Sequence, residues 1–135
     1  MQGNSSKTIL VIDDTPEFVG FVKALLEDNG FNVITASNGV EGIEQLKKQT
    51  PDLISLDLVM PEKSGIKFFR EIRTNREWSK IPVIIVTGHA RDSLGKTDFK
   101  KLFEGRTISG PETYLEKPIE PEDYIRAIKR ILKVD

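Results

Sequence analysis

The 135-residue chain has no cysteine and a single histidine. The lack of cysteine excludes disulfides, thiolate metal sites and a cysteine nucleophile, and it disfavours zinc, which prefers sulfur and imidazole ligands. A formal net charge of −1 at pH 7 excludes a global positive field that would draw the chain onto nucleic acid or anionic lipid. Apolar runs are all too short to span a membrane. These absences predict a cytoplasmic protein whose domain binds neither membrane nor nucleic acid directly.

The sequence contains five short apolar runs. They lie at 8–12, 32–36, 52–57, 81–87 and 113–116 and are rich in isoleucine, valine and leucine, a composition typical of β-strands. The first and fourth runs are almost continuously apolar, which predicts strands that are covered on both faces.

Segments with helical spacing alternate with these runs. Thr15 and Pro16 predict a helix start, with a capping residue before a proline at the first helical position, and Asn29 with Gly30 predicts its end. Further helices are predicted to begin at Asn38, Ser64 and Pro121. The apolar residues expected to face inward are Phe18, Phe21, Val22, Leu25 and Leu26, then Val40, Ile43 and Leu46, then Ile66, Phe69 and Ile72, and finally Tyr124, Ile125, Ile128, Ile131 and Leu132.

The alternation of strands and helices predicts an α/β fold, a doubly wound five-stranded parallel sheet with helices on both faces. We expect one domain over residues 1–135, with residues 1–6 frayed. Ligands of such folds bind outside the carboxyl ends of the strands, near the point where the strand order reverses. Functional residues are therefore expected where the strands end.

Five polar residues follow or end four of the predicted strands. They are Asp13 and Asp14 after the first strand, Asp57 at the end of the third, Thr87 at the end of the fourth and Lys117 after the fifth. Each alone has an ordinary explanation, such as a helix cap or a solvated charge, but together they are predicted to meet at one edge of the sheet.

Carboxylates held this close repel one another, and a divalent cation relieves the repulsion. Oxygen ligands with room for water suit Mg²⁺. Asp57 can then act as a nucleophile towards phosphorus and form an aspartyl-phosphate. The Lys117 ammonium and the Thr87 hydroxyl are placed to neutralise charge on the transferred group.

The segments "VIDD", "SLDLVMP", "VTG" and "YLEKP", in this order and spacing, resemble the receiver domains of two-component response regulators, including the chemotaxis regulators. The resemblance extends from about Lys7 to Leu132. It implies a flavodoxin-like sheet of order 2-1-3-4-5. It also implies that Asp57 accepts a phosphoryl group from a histidine kinase or a histidine phosphotransfer protein. The implied Mg²⁺ ligands are Asp13, Asp14, Asp57 and the backbone carbonyl of Val59.

By the same resemblance, Lys117 binds the phosphoryl group, Thr87 and Tyr114 are the switch pair, and Pro118 follows a cis peptide bond. Phosphorylation is expected to change the surface formed by the fourth helix of the family, which falls between Thr87 and Lys117, the fifth strand and the fifth helix, which begins at Pro121. An effector protein or domain is expected to bind there. The protein is thus expected to be a signalling switch, monomeric or dimeric on phosphorylation, that assists its own phosphorylation and dephosphorylation without being a turnover enzyme.

Two features depart from the family pattern. Gly88 stands where a small side chain such as alanine is usual, which is expected to loosen the switch. The region 88–113 is several residues longer than in the family. Within it, the spacing of Leu94, Phe99, Leu102 and Phe103 predicts a helix ending near Gly105, followed by an extra loop, "RTISGP".

Two other functions remain open on the residues alone. One is an aspartyl-phosphate phosphatase of the haloacid dehalogenase type, but that family has a second aspartate two residues after the nucleophile, and Val59 occupies this position. The other is a flavodoxin-like electron carrier, which needs a hydroxyl-rich phosphate loop after the first strand. Here that loop reads "DDTPEF", whose charges would repel the phosphate of flavin mononucleotide.

Overall fold

A computed structural model of the chain describes residues 7–58, 65–88 and 110–135. In chain order, the elements are β1 (Thr8–Ile12), α1 (Pro16–Asp28), β2 (Asn32–Ala36), α2 (Gly39–Lys48), β3 (Leu53–Leu56), α3 (Gly65–Arg73), β4 (Val83–Thr87), β5 (Thr113–Glu116) and α4 (Pro121–Leu132). Most of the extended region 88–113, with its predicted helix, lies outside the described residues. Within the described ranges, no helix is long and apolar enough to cross a membrane.

All strand pairs of the sheet are parallel, and the strand order is β2-β1-β3-β4-β5. The predicted doubly wound architecture and its strand order are therefore confirmed. Ile12 of β1 pairs with Leu56 of β3, so these two central strands end side by side. The order reverses at this point, which is where such a fold binds its ligands.

Alternate strand residues point to opposite faces of the sheet and form two separate cores. On one face, residues such as Leu10 and Ile54 pack against α2 and α3. On the other face, residues such as Ile9 and Leu53 pack against α1 and α4. β1 and β3 are buried along their whole length, which explains their nearly continuous apolar sequence.

The helices α1, α2 and α4 begin where the sequence signals predicted, but one predicted capping bond is missing. The Asn38 side chain caps α2 by accepting a hydrogen bond from the Glu41 amide at 2.9 Å. Thr15 occupies the cap position of α1, but its side chain makes no capping bond. Ser64, the predicted start of the third helix, lies outside the described residues.

Two of the residues predicted to face inward are exposed instead. Phe21 is 44% exposed and Val40 is 48% exposed. Both lie at the margin of their helix's apolar stripe, and the spacing pattern does not tell a margin position from a central one. The prediction was wrong for these two residues.

Arg73, at the end of α3, is a buried cation that the sequence pattern does not reveal. Its guanidinium donates to the carbonyl of Ile81 at 2.7 Å, stacks 4.8 Å from the centre of the Phe69 ring, and lies 3.4 Å from Oε1 of Glu112. Glu112 Oε1 also accepts a 2.6 Å hydrogen bond from the Val83 amide. This cluster ties the beginning of β5 to β4 and α3, at the opposite end of the sheet from the acidic residues.

Candidate functional site

Asp13 and Asp57 lie next to each other because β1 and β3 are neighbouring parallel strands in register. The Asp57 amide donates to the carbonyl of Ile12 at 3.0 Å, and the Asp13 amide donates to the carbonyl of Ala36 at 3.1 Å. Both carboxylates are almost completely buried, whereas Asp14 is exposed. The sheet therefore holds two acids at its edge while the third faces solvent.

Carboxylate oxygens of Asp13, Asp14 and Asp57 all lie within 4.8 Å of one another. The predicted acidic cluster thus forms in the folded chain. Its donors are hard oxygen atoms, and the exposure of Asp14 leaves room for water, so the residues present fit Mg²⁺ better than a softer metal.

Lys117 reaches this cluster from the end of β5. Its ammonium nitrogen lies 2.8 Å from Oδ2 of Asp13 and 4.0 Å from Oδ2 of Asp57. The Lys117–Pro118 peptide bond is cis, as predicted. The Lys117 ammonium therefore faces both buried carboxylates and offsets part of their repulsion.

The aromatic ring of Phe18 lies beneath that cation. The Lys117 nitrogen is 4.3 Å from the ring centre, within the range of an attractive cation–π contact. Phe18 belongs to α1 and also packs against the apolar core on that face. Its periodicity indicated only a core position, and the contact with Lys117 could not be read from the spacing.

Asp13 has a second partner besides Lys117. Its Oδ1 accepts a 2.9 Å hydrogen bond from the Thr15 amide. Since its two oxygens have different partners, the orientation of this carboxylate is well determined.

A cleft of about 380 Å³ opens beside Asp13 and Asp14, between the first turns of α1 and the end of β2.

The predicted switch residues are described in part. The backbone of Thr87 ends β4 and pairs with Glu116, but the role of its side chain falls outside what the structure describes. Tyr114 of β5 is half-buried against the core of α2 and α3, and this burial raises the pKa of its hydroxyl. Val59, the predicted carbonyl ligand, lies outside the described residues.

Two glycines near the site differ in how much space a side chain would have. A Cβ atom placed on Gly65 would lie 2.6 Å from the Cα of Leu58 and would also collide with the Asp57 carbonyl. The start of α3 therefore rests directly on the backbone that carries Asp57. At Gly88, by contrast, a Cβ would make an ordinary contact with the Lys117 side chain, 3.7 Å from its Cβ. The sequence drew attention to Gly88 but not to Gly65.

A pair of hydroxyl groups lies in the core below the acidic cluster. The Tyr124 hydroxyl donates to Oγ of Ser55 at 2.9 Å, and both residues are buried. Burial raises the pKa of Tyr124 far above its usual range. The hydrogen bond with Ser55 offsets part of this increase in pKa, and the negative charge of Asp13 adds to it. The pattern of α4 predicted that Tyr124 faces inward but not that its hydroxyl has a partner.

Residues 9–129 match the response regulator receiver domain family. The chain is 35% identical over 124 residues to the protein PilH of Pseudomonas aeruginosa, covering 92% of this chain and 96% of PilH. It is 31% identical over 126 residues to the polar-differentiation response regulator DivK of Brucella anthropi, covering 93% of this chain and 96% of DivK.

Among solved structures, a response regulator receiver domain from Clostridium thermocellum is similar with a TM-score of 0.78 and 32% identity, covering 95% of each chain. The receiver domain of a Pseudomonas aeruginosa sensor histidine kinase, described with a magnesium ion in its active site cleft, shares the fold with a TM-score of 0.82 and 23% identity, covering 95% of this chain and 98% of that one. With this match over nearly its whole length, the chain belongs to the response regulator receiver domain family of two-component signalling.

Proposed function

We propose that this receiver domain is a phosphorylation-activated switch in which Asp57 accepts the phosphoryl group. The observation that supports this most directly is the placement of the Asp57 carboxylate among Asp13, Asp14 and Lys117. Membership of the receiver family favours this function over the haloacid dehalogenase alternative. As the sequence already indicated, that alternative lacks its second aspartate, because position 59 is valine.

In the proposed step, a carboxylate oxygen of Asp57 attacks the phosphorus of a phosphorylated donor. The new bond is phosphorus to Asp57 oxygen, the bond to the donor breaks, and the donor leaves with the electron pair. Catalysis of this kind depends on positioning and on neutralising the charge of the phosphoryl oxygens. Lys117, with its ammonium nitrogen 4.0 Å from Oδ2 of Asp57, is placed to do so.

The metal ligands in this proposal are Asp13, Asp14, Asp57 and the carbonyl of Val59. When bound, Mg²⁺ supplies positive charge to the phosphoryl oxygens and offsets the repulsion among the carboxylates. The chain's own contribution is to hold Asp13 rigidly through Lys117 and the Thr15 amide. The exposed Asp14 carboxylate remains at the solvent side, where a hydrated ion would arrive.

The partners in this proposal are a histidine kinase or a histidine phosphotransfer protein as donor and an effector protein or domain as receiver of the signal.

Thr87 and Tyr114 are proposed to convert phosphorylation into a change of the surface around β5, α4 and the extended region 88–113. A free-energy gap of only a few kcal/mol between two such states is small enough to be shifted by one charged hydrogen bond and the burial of a ring.

The test is phosphorylation by acetyl phosphate in the presence of Mg²⁺, with the modified residue mapped by mass spectrometry. We expect one phosphoryl group on Asp57, which Asp57→Asn abolishes. Asp28→Asn, an exposed residue of α1 outside the cluster, is the matched control and should label normally. Undiminished labelling of Asp57→Asn would contradict the proposal.

A further inference from the structure

Ser55 and Tyr124 form a polar contact where packing alone would require none. In the sheet, Ser55 pairs with Val11 on one side and Ile84 on the other, and both neighbours are buried aliphatic residues. Tyr124 is 0% exposed and belongs to the same apolar core. Buried hydroxyls are costly unless they are paired, so this pair stabilises one particular arrangement of α4 and β3.

The pair lies one layer below the proposed phosphorylation site. Side chains two residues apart in an extended segment point to the same face. Ser55 of β3 is two residues before Asp57, which directly follows the strand, so the two side chains are expected on the same face of the sheet. The Tyr124 hydroxyl is close enough to Asp13 to be influenced by its charge. The hydrogen bond thus connects α4 to the strand that presents Asp57, at the layer nearest the site.

We propose, on the basis of the function proposed above, that Tyr124 is a positioning residue for phosphotransfer. Through its hydrogen bond to Ser55, the Tyr124 hydroxyl holds β3 and α4 in the arrangement that places Asp57 opposite Lys117. The 4.0 Å separation of the Lys117 nitrogen and the Asp57 oxygen depends on both elements, because Asp57 directly follows β3 and Lys117 lies only four positions before the first residue of α4. A small displacement of either would separate the nucleophile from its cation, and phosphoryl transfer is sensitive to such displacements.

The experiment compares Tyr124→Phe, Ser55→Ala and the double variant with the wild-type protein. The rate of Asp57 phosphorylation by acetyl phosphate and the free energy of unfolding are measured for each. Each single variant removes one hydroxyl and leaves the other without its partner, whereas the double variant removes both and restores much of the stability. Stability and positioning therefore make different predictions for the double variant.

We expect phosphorylation to be about tenfold slower in all three variants, by analogy with the loss of partners that orient a reactive group. The double variant should remain slow although it is more stable than Ser55→Ala. Ser55→Thr, which keeps a hydroxyl, should restore the rate. Ile128→Val, which removes a methylene from the same helix and the same core, controls for loss of stability and should label at the wild-type rate.

A rate within twofold of wild type in Tyr124→Phe, or recovery of the rate in the double variant, would overturn the positioning role and leave the proposed function intact. A wild-type protein that acquires no phosphoryl group on Asp57 would overturn the proposed function and the positioning role together.

Discussion

The Lys117 ammonium is 2.8 Å from Oδ2 of Asp13 but 4.0 Å from Oδ2 of Asp57. Lys117 is therefore paired with the acid that we assign to the metal and only approaches the acid that we assign to the phosphoryl group. The shorter contact holds the lysine side chain beside the site, where its ammonium is within reach of phosphoryl oxygens carried by Asp57.

Replacing Lys117 with glutamine should slow phosphorylation of Asp57 by acetyl phosphate by about a hundredfold, the size of effect seen when one charge-stabilising donor is removed from an active site. Mass spectrometry over time measures the rate. Lys80→Gln, which changes an exposed lysine after α3, is the control and should have no effect. Equal rates for the two variants would exclude a role for Lys117 in the reaction.

Asp14→Ala should weaken Mg²⁺ binding at least about tenfold, because it removes an anionic ligand. Asp13 already shares its charge with Lys117 and the Thr15 amide, so the metal is expected to depend most on Asp14. Titration calorimetry measures the affinity, with Asp28→Ala as the control for lost negative charge. The prediction fails if Asp14→Ala binds Mg²⁺ as tightly as the wild-type protein.

Gly65→Ala should lower the free energy of unfolding by about 1–3 kcal/mol and slow phosphorylation, because the new methyl group would push on the backbone of Asp57 and Leu58. Gly20→Ala is a matched control, since this glycine lies inside α1 and the added Cβ would have no atom within 4 Å apart from its chain neighbours and the backbone of its own helix. It should stabilise the protein by about 0.5–1 kcal/mol. Urea unfolding distinguishes the two, and a stabilised Gly65→Ala would disprove the close contact.

The free energy of unfolding should fall in strongly alkaline solution. In the unfolded chain tyrosine has a pKa of about 10, and burial raises the pKa of both Tyr124 and Tyr114 in the folded chain. The raised pKa means that the folded state favours the neutral hydroxyl. This contribution is complete below about pH 10 and is lost as the pH rises towards the folded-state values.

Urea unfolding between pH 8 and about pH 11 tests this dependence. Tyr124→Phe should flatten the alkaline decline more than Tyr114→Phe, because Tyr124 is fully buried and Tyr114 only partly. Identical declines in the wild-type protein and in both variants would show that other groups are responsible.

Beryllofluoride, a mimic of the phosphoryl group, should alter amide hydrogen exchange between Gly88 and Tyr114 and leave α1 almost unchanged. Both ends of this segment are attached to the proposed switch residues, Thr87 and Tyr114. Exchange followed by mass spectrometry, with Asp57→Ala as the control that should not respond, measures the effect. A response confined to α1 would indicate a different mechanism of switching.

Much of this architecture could be predicted from local sequence. The apolar runs and the helix signals at Pro16, Asn38 and Pro121 depend on interactions within a few residues, so they can be recognised in the chain. The acids at 13, 14 and 57 and the lysine at 117 were predicted to converge because parallel strands bring their carboxyl ends to one edge of a sheet.

Contacts between distant residues were decided by the tertiary structure alone. The ring of Phe18 beneath Lys117, the Ser55–Tyr124 hydrogen bond and the Arg73–Glu112 pair join positions far apart in the chain, and no periodicity specifies which distant atom each side chain meets. The exposure of Phe21 and Val40 and the close fit of Gly65 against Asp57 have the same origin. Local sequence determines which face of an element is apolar, but the packing of neighbouring elements determines where that face ends and which atoms touch it.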